Sequence, residues 1–180
     1  EIRQNDAYIY TDTFAAPDGL PVGTQTKTVS LIKPDLNSPV ACWLTMKRGC
    51  PSVPAYFSEN QKEMAIKQVK NICKALFKWS IGRSTKLYLI PHKQNIIVLE
   101  QKCPIHLLSI IERRLIYHIA AHIAEKEKAE AIVTGETVGE KLHRTLRDFR
   151  LEDQAIQDYP IHRPLAGLDK AEIKRLAQRI

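Results

Sequence analysis

From Val29 onward the chain alternates short apolar runs with longer stretches whose apolar residues recur every three to four positions. "TVSLI" reads as a buried strand. Ser38 to Arg48 reads as a helix, since Val40, Trp43, Leu44 and Lys47 follow helical spacing and Gly49 can stop it. "CPSVPAYF" is the second strand, and Ser58 with Gln61 three residues on resembles a capping box. The helix opened there is expected to run to about Trp79, with Met64, Val69, Ile72, Leu76 and Phe77 on one side. "KLYLIP" is the third strand. "IHLLSIIERRLIYHIAAHIAEKEK" is a long helix with Leu108, Ile111, Leu115, Ile119 and Ile123 as its apolar stripe. "AEAIVTGE" is a strand ending in a polar turn, "GEKLHRTLRDFR" a further helix, "YPIHRPLAG" a last strand, and Asp169 starts the terminal helix.

Strand–helix alternation of this kind predicts an α/β fold, a parallel sheet covered on both faces with right-handed crossovers. The functional crevice is then expected at the carboxyl ends of the strands, near the switch in strand order. Residues 1–28 have a different texture. "AYIYTDTF" alternates like a strand through Tyr8, Tyr10 and Thr11 to Phe14, and "AAPDGLPVGTQTKT" has the Pro, Gly and Thr content of a connector. The expected division is 1–28 as the end of another module plus linker, and 29–180 as the main domain.

Composition narrows the function classes. In 180 residues, 44% are hydrophobic, enough for a packed core, and the net charge of +7 with a pI of about 9.3 favours anionic partners such as nucleic acid or nucleotides. No apolar run approaches the roughly 20 residues that span a bilayer, so no membrane role is expected. The opening "EIRQNDAYIY" has no signal-peptide pattern and no initiator Met, which suggests a piece of a longer protein. Cys42, Cys50, Cys73 and Cys103 form no C-x-x-C and no zinc spacing, and read as reduced, mostly buried thiols. His118 and His122 are four apart, but no third ligand is in view, so no metal site is expected.

Several motifs add up to a family. "GLPVGT", "SPVACWLTMKRGC", "VTGETVG" with "RTLRDFR" behind it, and "HRPLAGLDKAEIKRLAQRI" occur in the order found in the tRNA 4-thiouridine synthetase (tRNA sulfurtransferase) family, also linked to thiamine biosynthesis, and the chain resembles it over nearly its whole length. The resemblance implies a PP-loop ATP-pyrophosphatase domain, Rossmann-like and related to the adenine nucleotide alpha hydrolases, with strand order 3-2-1-4-5. Residues 1–28 would then derive from a THUMP region. It also implies ATP with Mg²⁺, adenylation of O4 of a tRNA uridine, and displacement of AMP by sulfur from a donor such as a cysteine desulfurase. The location implied is cytoplasmic, and a homodimer is compatible.

The family's S-G-G-x-D-S loop aligns with Lys33, Pro34, Asp35, Leu36, Asn37 and Ser38, and only the last Ser matches. Glycines let backbone N–H groups close on a pyrophosphate. Pro34 has no N–H, Asp35 brings a carboxylate where the polyanion should lie, and Asn37 removes an acid that could help hold Mg²⁺. Lys33 adds a positive charge, and Ser38 keeps the helix N-terminus. A lost donor and a nearby like charge each cost on the order of 1–3 kcal/mol, together about a hundredfold in phosphate affinity.

Transfer of the family's nucleotide contacts gives Leu31, Ile32, Lys33, Asn37, Ser38, Tyr56, Phe57, Arg113, Gly135 and Arg144, of which Leu31, Ile32, Tyr56 and Phe57 read from the residues alone as ordinary core. Glu140 and Arg144 stand where the family has Gln. Where some members carry a C-x-x-C this chain has Ser109 and Glu112, and Cys103 is out of register. Lys141, Arg144, Arg147 and Arg150 form a basic stripe that either tracks RNA or is solvated beside Asp148 and Glu152. Two functions stay open: an adenylating enzyme with an altered loop, and a fold-retaining module that binds RNA or a partner without chemistry.

Overall fold

A computed structural model of the chain describes residues 2–3, 6–7, 9, 11–12, 19–59, 62–80, 82, 85–139 and 145–180. Tyr8, Tyr10, Phe14, Gln61, Glu140, Lys141 and Arg144 lie outside the described residues. A two-residue antiparallel ladder joins β1 (Ile2–Arg3) to β2 (Asp6–Ala7). The main body then runs β3 (Lys27–Leu31), α1 (Asn37–Lys47), β4 (Ser52–Ser58), α2 (Glu63–Phe77), β5 (Tyr88–Pro91), α3 (Lys93–Lys102), α4 (Leu108–Glu127), β6 (Ala129–Val133), α5 (Leu146–Asp153), β7 (Ile161–His162) and α6 (Lys170–Ala177).

These five strands form one sheet in the order β5-β4-β3-β6-β7, and every pairing is parallel. This is the predicted 3-2-1-4-5 order, with β3 central because it pairs with both β4 and β6. Pleating sorts β3 residue by residue. Val29 and Leu31 pack with Ile116, Tyr117, Ala120 and Ile123 of α4. On the other face Ile32 joins Trp43, Met46, Val69 and Leu76 of α1 and α2, while Val40, Val133, Leu165 and Ile173 form a neighbouring cluster under α6. On that second face Cys42 Sγ approaches Ser52 Oγ at 3.2 Å and Ser52 Oγ donates to Ser30 Oγ at 2.7 Å, while the buried Thr28 Oγ1 has no hydrogen-bond partner among the described residues.

Local rules explain several boundaries. Gly49 ends α1, with φ +91° and its N–H on the Met46 carbonyl at 2.8 Å. A side chain there would come within 2.2 Å of Thr24 Oγ1, so Gly49 also lets the connector lie against α1. Asp169 starts α6 as predicted, in a capping box with Glu172. Cys42 and Cys73 are buried free thiols, as read from the sequence, and burial raises the Cys73 thiol to about 12.

Six expectations are corrected. Ser58 does not cap α2. It is the last residue of β4, and α2 opens five residues later behind Lys62, whose side chain makes no capping bond. Met64 is 74% exposed, because α2 buries Val69, Cys73 and Leu76 and Met64 falls on the opposite face of the helix. The buried stripe of α4 is Ile116, Tyr117, Ala120, Ile123 and Ala124, lying beside the expected Leu108, Ile111 and Leu115, because small alanines let the helix approach the sheet closely. The helix expected from Gly139 is α5, which starts at Leu146 behind a capping box of Thr145 and Asp148, and the last strand shrinks to Ile161–His162 before Pro164. The periodicity missed α3 altogether, since it has no buried residue and hence no apolar stripe.

Candidate nucleotide site

The strand order reverses between β3 and β6, and a cleft opens at their carboxyl ends. Leu31, Lys33, Asp35, Asn37, Ser38, Arg113, Thr134, Gly135, Glu136 and Thr137 line a cavity of about 130 Å³ there. A second cavity of about 200 Å³ adjoins it at Lys33 and is walled by Pro34, Tyr56, Phe57, Glu59, Lys62 and Ala65. Each alone is below the roughly 300 Å³ of an ordinary ligand pocket, so a nucleotide would have to span both. Another cavity, at Trp43 and Trp79 under the connector, lies away from these strand ends.

The loop after β3 is closed by its own acid. Asp35 Oδ1 accepts from the Ser38 N–H at 2.9 Å and from the Ser38 hydroxyl at 2.7 Å. Ser38 Oγ in turn accepts the Lys33 N–H at 2.8 Å. Leu36, formally the N-cap residue, makes no side-chain cap bond, so Asp35 does the capping. The N–H that would face a phosphate at this helix end is thus held by a carboxylate.

Gly135 explains how the loop is braced. A Cβ on it would lie 2.6 Å from the Ser38 nitrogen and 2.7 Å from the Asn37 carbonyl carbon. Only a glycine permits this backbone-to-backbone approach between the β6 turn and the first turn of α1. The turn is further held by Thr134, whose N–H reaches the His162 carbonyl at 3.0 Å and whose hydroxyl accepts the Glu136 N–H at 3.3 Å.

Behind this turn lies an ionic network. Arg113, from α4, places Nε 3.2 Å from Glu136 Oε1. Arg163, just past β7, donates from Nε to Glu136 Oε2 at 2.9 Å and grips Asp153 with Nη1 and Nη2 at 3.0 and 2.6 Å. Its guanidinium sits 4.4 Å from the Phe149 ring centre, and Tyr117 donates to Glu136 Oε2 at 3.0 Å. Burial first, then the Glu136 charge, push the Tyr117 phenol upward, so it stays a donor. Burial disfavours the Arg163 charge, but bonding to Asp153 and the nearby Tyr117 and Glu136 outweigh it, and its pKa is raised.

Lys33 is the cation shared by the two cavities. Desolvation lowers its ammonium, the Arg113 charge adds to this, and Asp35, Glu59 and Glu112 oppose it. Its side chain is exposed by area, so water screens much of that effect. Glu112 is lowered, first by His92, whose Nε2 lies 3.6 Å away, a distance long for a hydrogen bond.

The structure brings Leu31, Lys33, Asn37, Ser38, Arg113 and Gly135 together in one cavity, and Tyr56 and Phe57 in the next. Ile32 stands apart: it is 1% exposed and its N–H is taken by the Ala55 carbonyl at 2.9 Å. Arg147 and Arg150 are exposed on α5, where Asp148 shares the capping box with Thr145 and Glu152 is buried near Arg163. Arg144 and Lys141 fall outside the described residues. His122 faces Glu125 at 3.9 Å, and among the described residues no three metal-binding side chains cluster. Sequence reasoning missed Glu136, Arg163, Tyr117 and Asp153. The first two sit inside the "VTGETVG" and "HRPLAG" motifs, but only the fold shows them meeting.

Comparison with known proteins agrees with this geometry. The model of the family described as thiamine biosynthesis protein (ThiI) matches residues 23–180. Probable tRNA sulfurtransferases of Natranaerobius thermophilus and Methanosarcina mazei are each 36% identical over the whole chain. The chain spans 45% of the length of each. A 4-thiouridine synthetase solved in complex with RNA and bound ATP superposes with a TM-score of 0.86 at 32% identity, over 89% of this chain and 42% of that one. The NH3-dependent NAD synthetase of Campylobacter jejuni, at 13% identity and a TM-score of 0.61 over 87% of this chain and 65% of that one, shares the fold alone. The all-parallel sheet, the cleft at its switch point and the family match over residues 23–180 together place this chain in the ThiI family of tRNA sulfurtransferases.

Proposed function

We propose that this is a tRNA sulfurtransferase-type domain whose cleft takes ATP with a weakened hold on the phosphates. The adenine would lie against Tyr56 and Phe57, with the phosphates passing Lys33 towards Ser38, Gly135 and Arg113. The observation that carries the reading is the Asp35 carboxylate on the Ser38 N–H and hydroxyl, an internal anion in the phosphate position. A polyphosphate must displace it, breaking two hydrogen bonds and bringing like charges together. In the reaction, uridine O4 attacks the α-phosphorus, pyrophosphate leaves, and sulfur then displaces AMP.

Two consequences concern the chemistry's helpers. Asp35 and Glu136, the carboxylates that line this cavity, are engaged by Ser38 and by two arginines, so this arrangement does not fit a Mg²⁺ ion. Cys42 and Cys73 are buried with raised pKa values, which suits neither of them to carry sulfur, and a separate donor such as a cysteine desulfurase would supply it.

The test is calorimetry of the chain with ATP and with pyrophosphate, beside Asp35→Ala. Removing the competing carboxylate is expected to tighten pyrophosphate binding about tenfold, by relief of roughly 1–2 kcal/mol. AMP release with unmodified tRNA then reports chemistry. No heat from either protein at millimolar ligand rejects the nucleotide reading, and tRNA binding without turnover would establish the non-catalytic, RNA-binding alternative.

A further inference from the structure

The charge of this chain is concentrated. It carries 27 lysines and arginines against 20 aspartates and glutamates. Between Met64 and Leu99 stand Lys67, Lys70, Lys74, Lys78, Arg83, Lys86 and Lys93 and no acid, so outside that segment the remaining 20 bases and 20 acids cancel. The whole net charge of +7 therefore belongs to one stretch of chain.

The fold sets four of these lysines in a row. Lys67, Lys70 and Lys74 on α2, and Lys78 at its C-cap, follow one another at three- and four-residue steps, so they share a face. All four are exposed, with Gln68 and Asn71 beside them, while Val69, Cys73 and Leu76 are buried on the opposite face. None of the four has an ion-pair partner among the described residues, whereas Lys86 is tied to Glu127 at 3.0 Å. The row spans about 16 Å at 1.5 Å per residue, in steps of roughly 5 Å. Its near end adjoins the cleft, since Lys62 and Ala65 at the start of α2 wall the cavity that holds Tyr56 and Phe57.

We propose that the exposed face of α2 is an RNA-docking surface, along which Lys67, Lys70, Lys74 and Lys78 follow the phosphate backbone of the RNA presented to the cleft. Neutralised phosphates release counterions, so a row of unpaired cations is worth most against a polyanion. The amides of Gln68 and Asn71 add donors for phosphate or 2′-hydroxyl oxygens. A membrane fits this face poorly, because a lipid-binding helix inserts an apolar face and that of α2 is already packed against α1 and β4. The inference rests on the reading that the cleft serves an RNA, but it names a different surface, with its own readout.

The test measures binding of an unmodified transcribed tRNA to the 180-residue chain between about 50 and 250 mM salt. The variant K67Q/K70Q/K74Q/K78Q is compared with K102Q/K128Q/K170Q/K174Q, which removes the same charge from exposed sites elsewhere. With about 0.7–0.9 in slope per lost phosphate contact, the α2 variant is expected to flatten the dependence of log affinity on log salt by about 3, and to weaken binding at least ~tenfold at low salt. The control set is expected to change the slope by about 1 or less. Equal losses from the two sets would overturn the proposal, since net charge alone would then suffice. So would an unchanged α2 variant, whether or not it loses binding to phosphatidylserine vesicles. Heat from ATP is read in parallel and should be the same with or without the stripe. Absent ATP heat with stripe-dependent tRNA binding rejects the nucleotide reading and keeps this surface; ATP heat without tRNA binding does the reverse.

Discussion

At the scale of single residues, Asp35 and Gly135 decide what the cleft can do. Asp35 supplies a negative charge and a hydrogen-bond acceptor at the N-terminal end of α1, which stabilises that helix end. Gly135 sets how far that loop can move, because its missing side chain is the space into which the backbone of Asn37 and Ser38 fits. Gly135→Ala must push the first turn of α1 outward, since a Cβ cannot sit 2.6 Å from a backbone nitrogen. The expected cost is about 1–3 kcal/mol in urea unfolding, as for other overpacked sites, with loss of any ATP heat. An unchanged midpoint would show that the turn yields freely. Both residues were singled out in the sequence, Asp35 by a family signature it violates and Gly135 by its place in "TGE". Their roles were not visible, because a hydrogen bond and a close approach are relations between distant segments.

At the scale of elements, Arg163 is the joint. It ties β7 to α5 through Asp153 and Phe149, and to the β6 turn through Glu136, which in turn holds Arg113 of α4. Removing one partner from a buried ionic cluster costs more than the cluster gains in forming, because the remaining charges lose their compensation. Arg163→Ala removes the cation beside Glu136 and the 2%-exposed Glu152, and about 3 kcal/mol of destabilisation is expected. For a chain of this size that is a fall of roughly 6–12 °C in Tm by scanning calorimetry. Arg163→Lys, which keeps the charge but loses the fork, should recover only part of it. A fall under 2 °C for the alanine variant would mean that the cluster is relaxed by water. Helix and strand types were largely legible from periodicity here. Boundaries were not, because capping by Thr145 and the short pairing of β7 depend on where the chain turns.

At the scale of the whole molecule, charge and pH act together. Glu127, at the C-terminal end of α4, accepts from Tyr88 at 2.6 Å and from Lys86 at 3.0 Å, with Lys27 at 3.5 Å. It thereby pins the edge strand β5 and the central strand β3 to one helix end. The Tyr88 hydrogen bond first, then Lys86, lower its carboxyl from the ordinary 4.5 to about 2. A carboxyl lowered on folding contributes stability that is complete above its unfolded value and lost as pH falls towards the folded one. The contribution should therefore be full above about pH 5 and disappear between there and about pH 2, with part of it screened by the exposed Lys86. Glu127→Gln is expected to destabilise the chain at pH 7 and to lie closer to the parent at pH 2.5, in urea titrations at both values. An equal gap at both would show that packing, not ionisation, is what Glu127 contributes.

The sequence by itself determined the class of fold, the succession of strands and helices apart from α3, and the family, because periodicity and motif order are local properties that survive without coordinates. It also determined that the loop between β3 and α1 departs from its signature. Tertiary structure alone decided that Asp35 caps the first turn of α1 at Ser38, that Glu136 is shared between Arg113 and Arg163, and that four lysines of α2 face water beside the cleft. Each of these depends on groups brought together by parallel pairing across long crossovers, and no spacing along the chain encodes that distance.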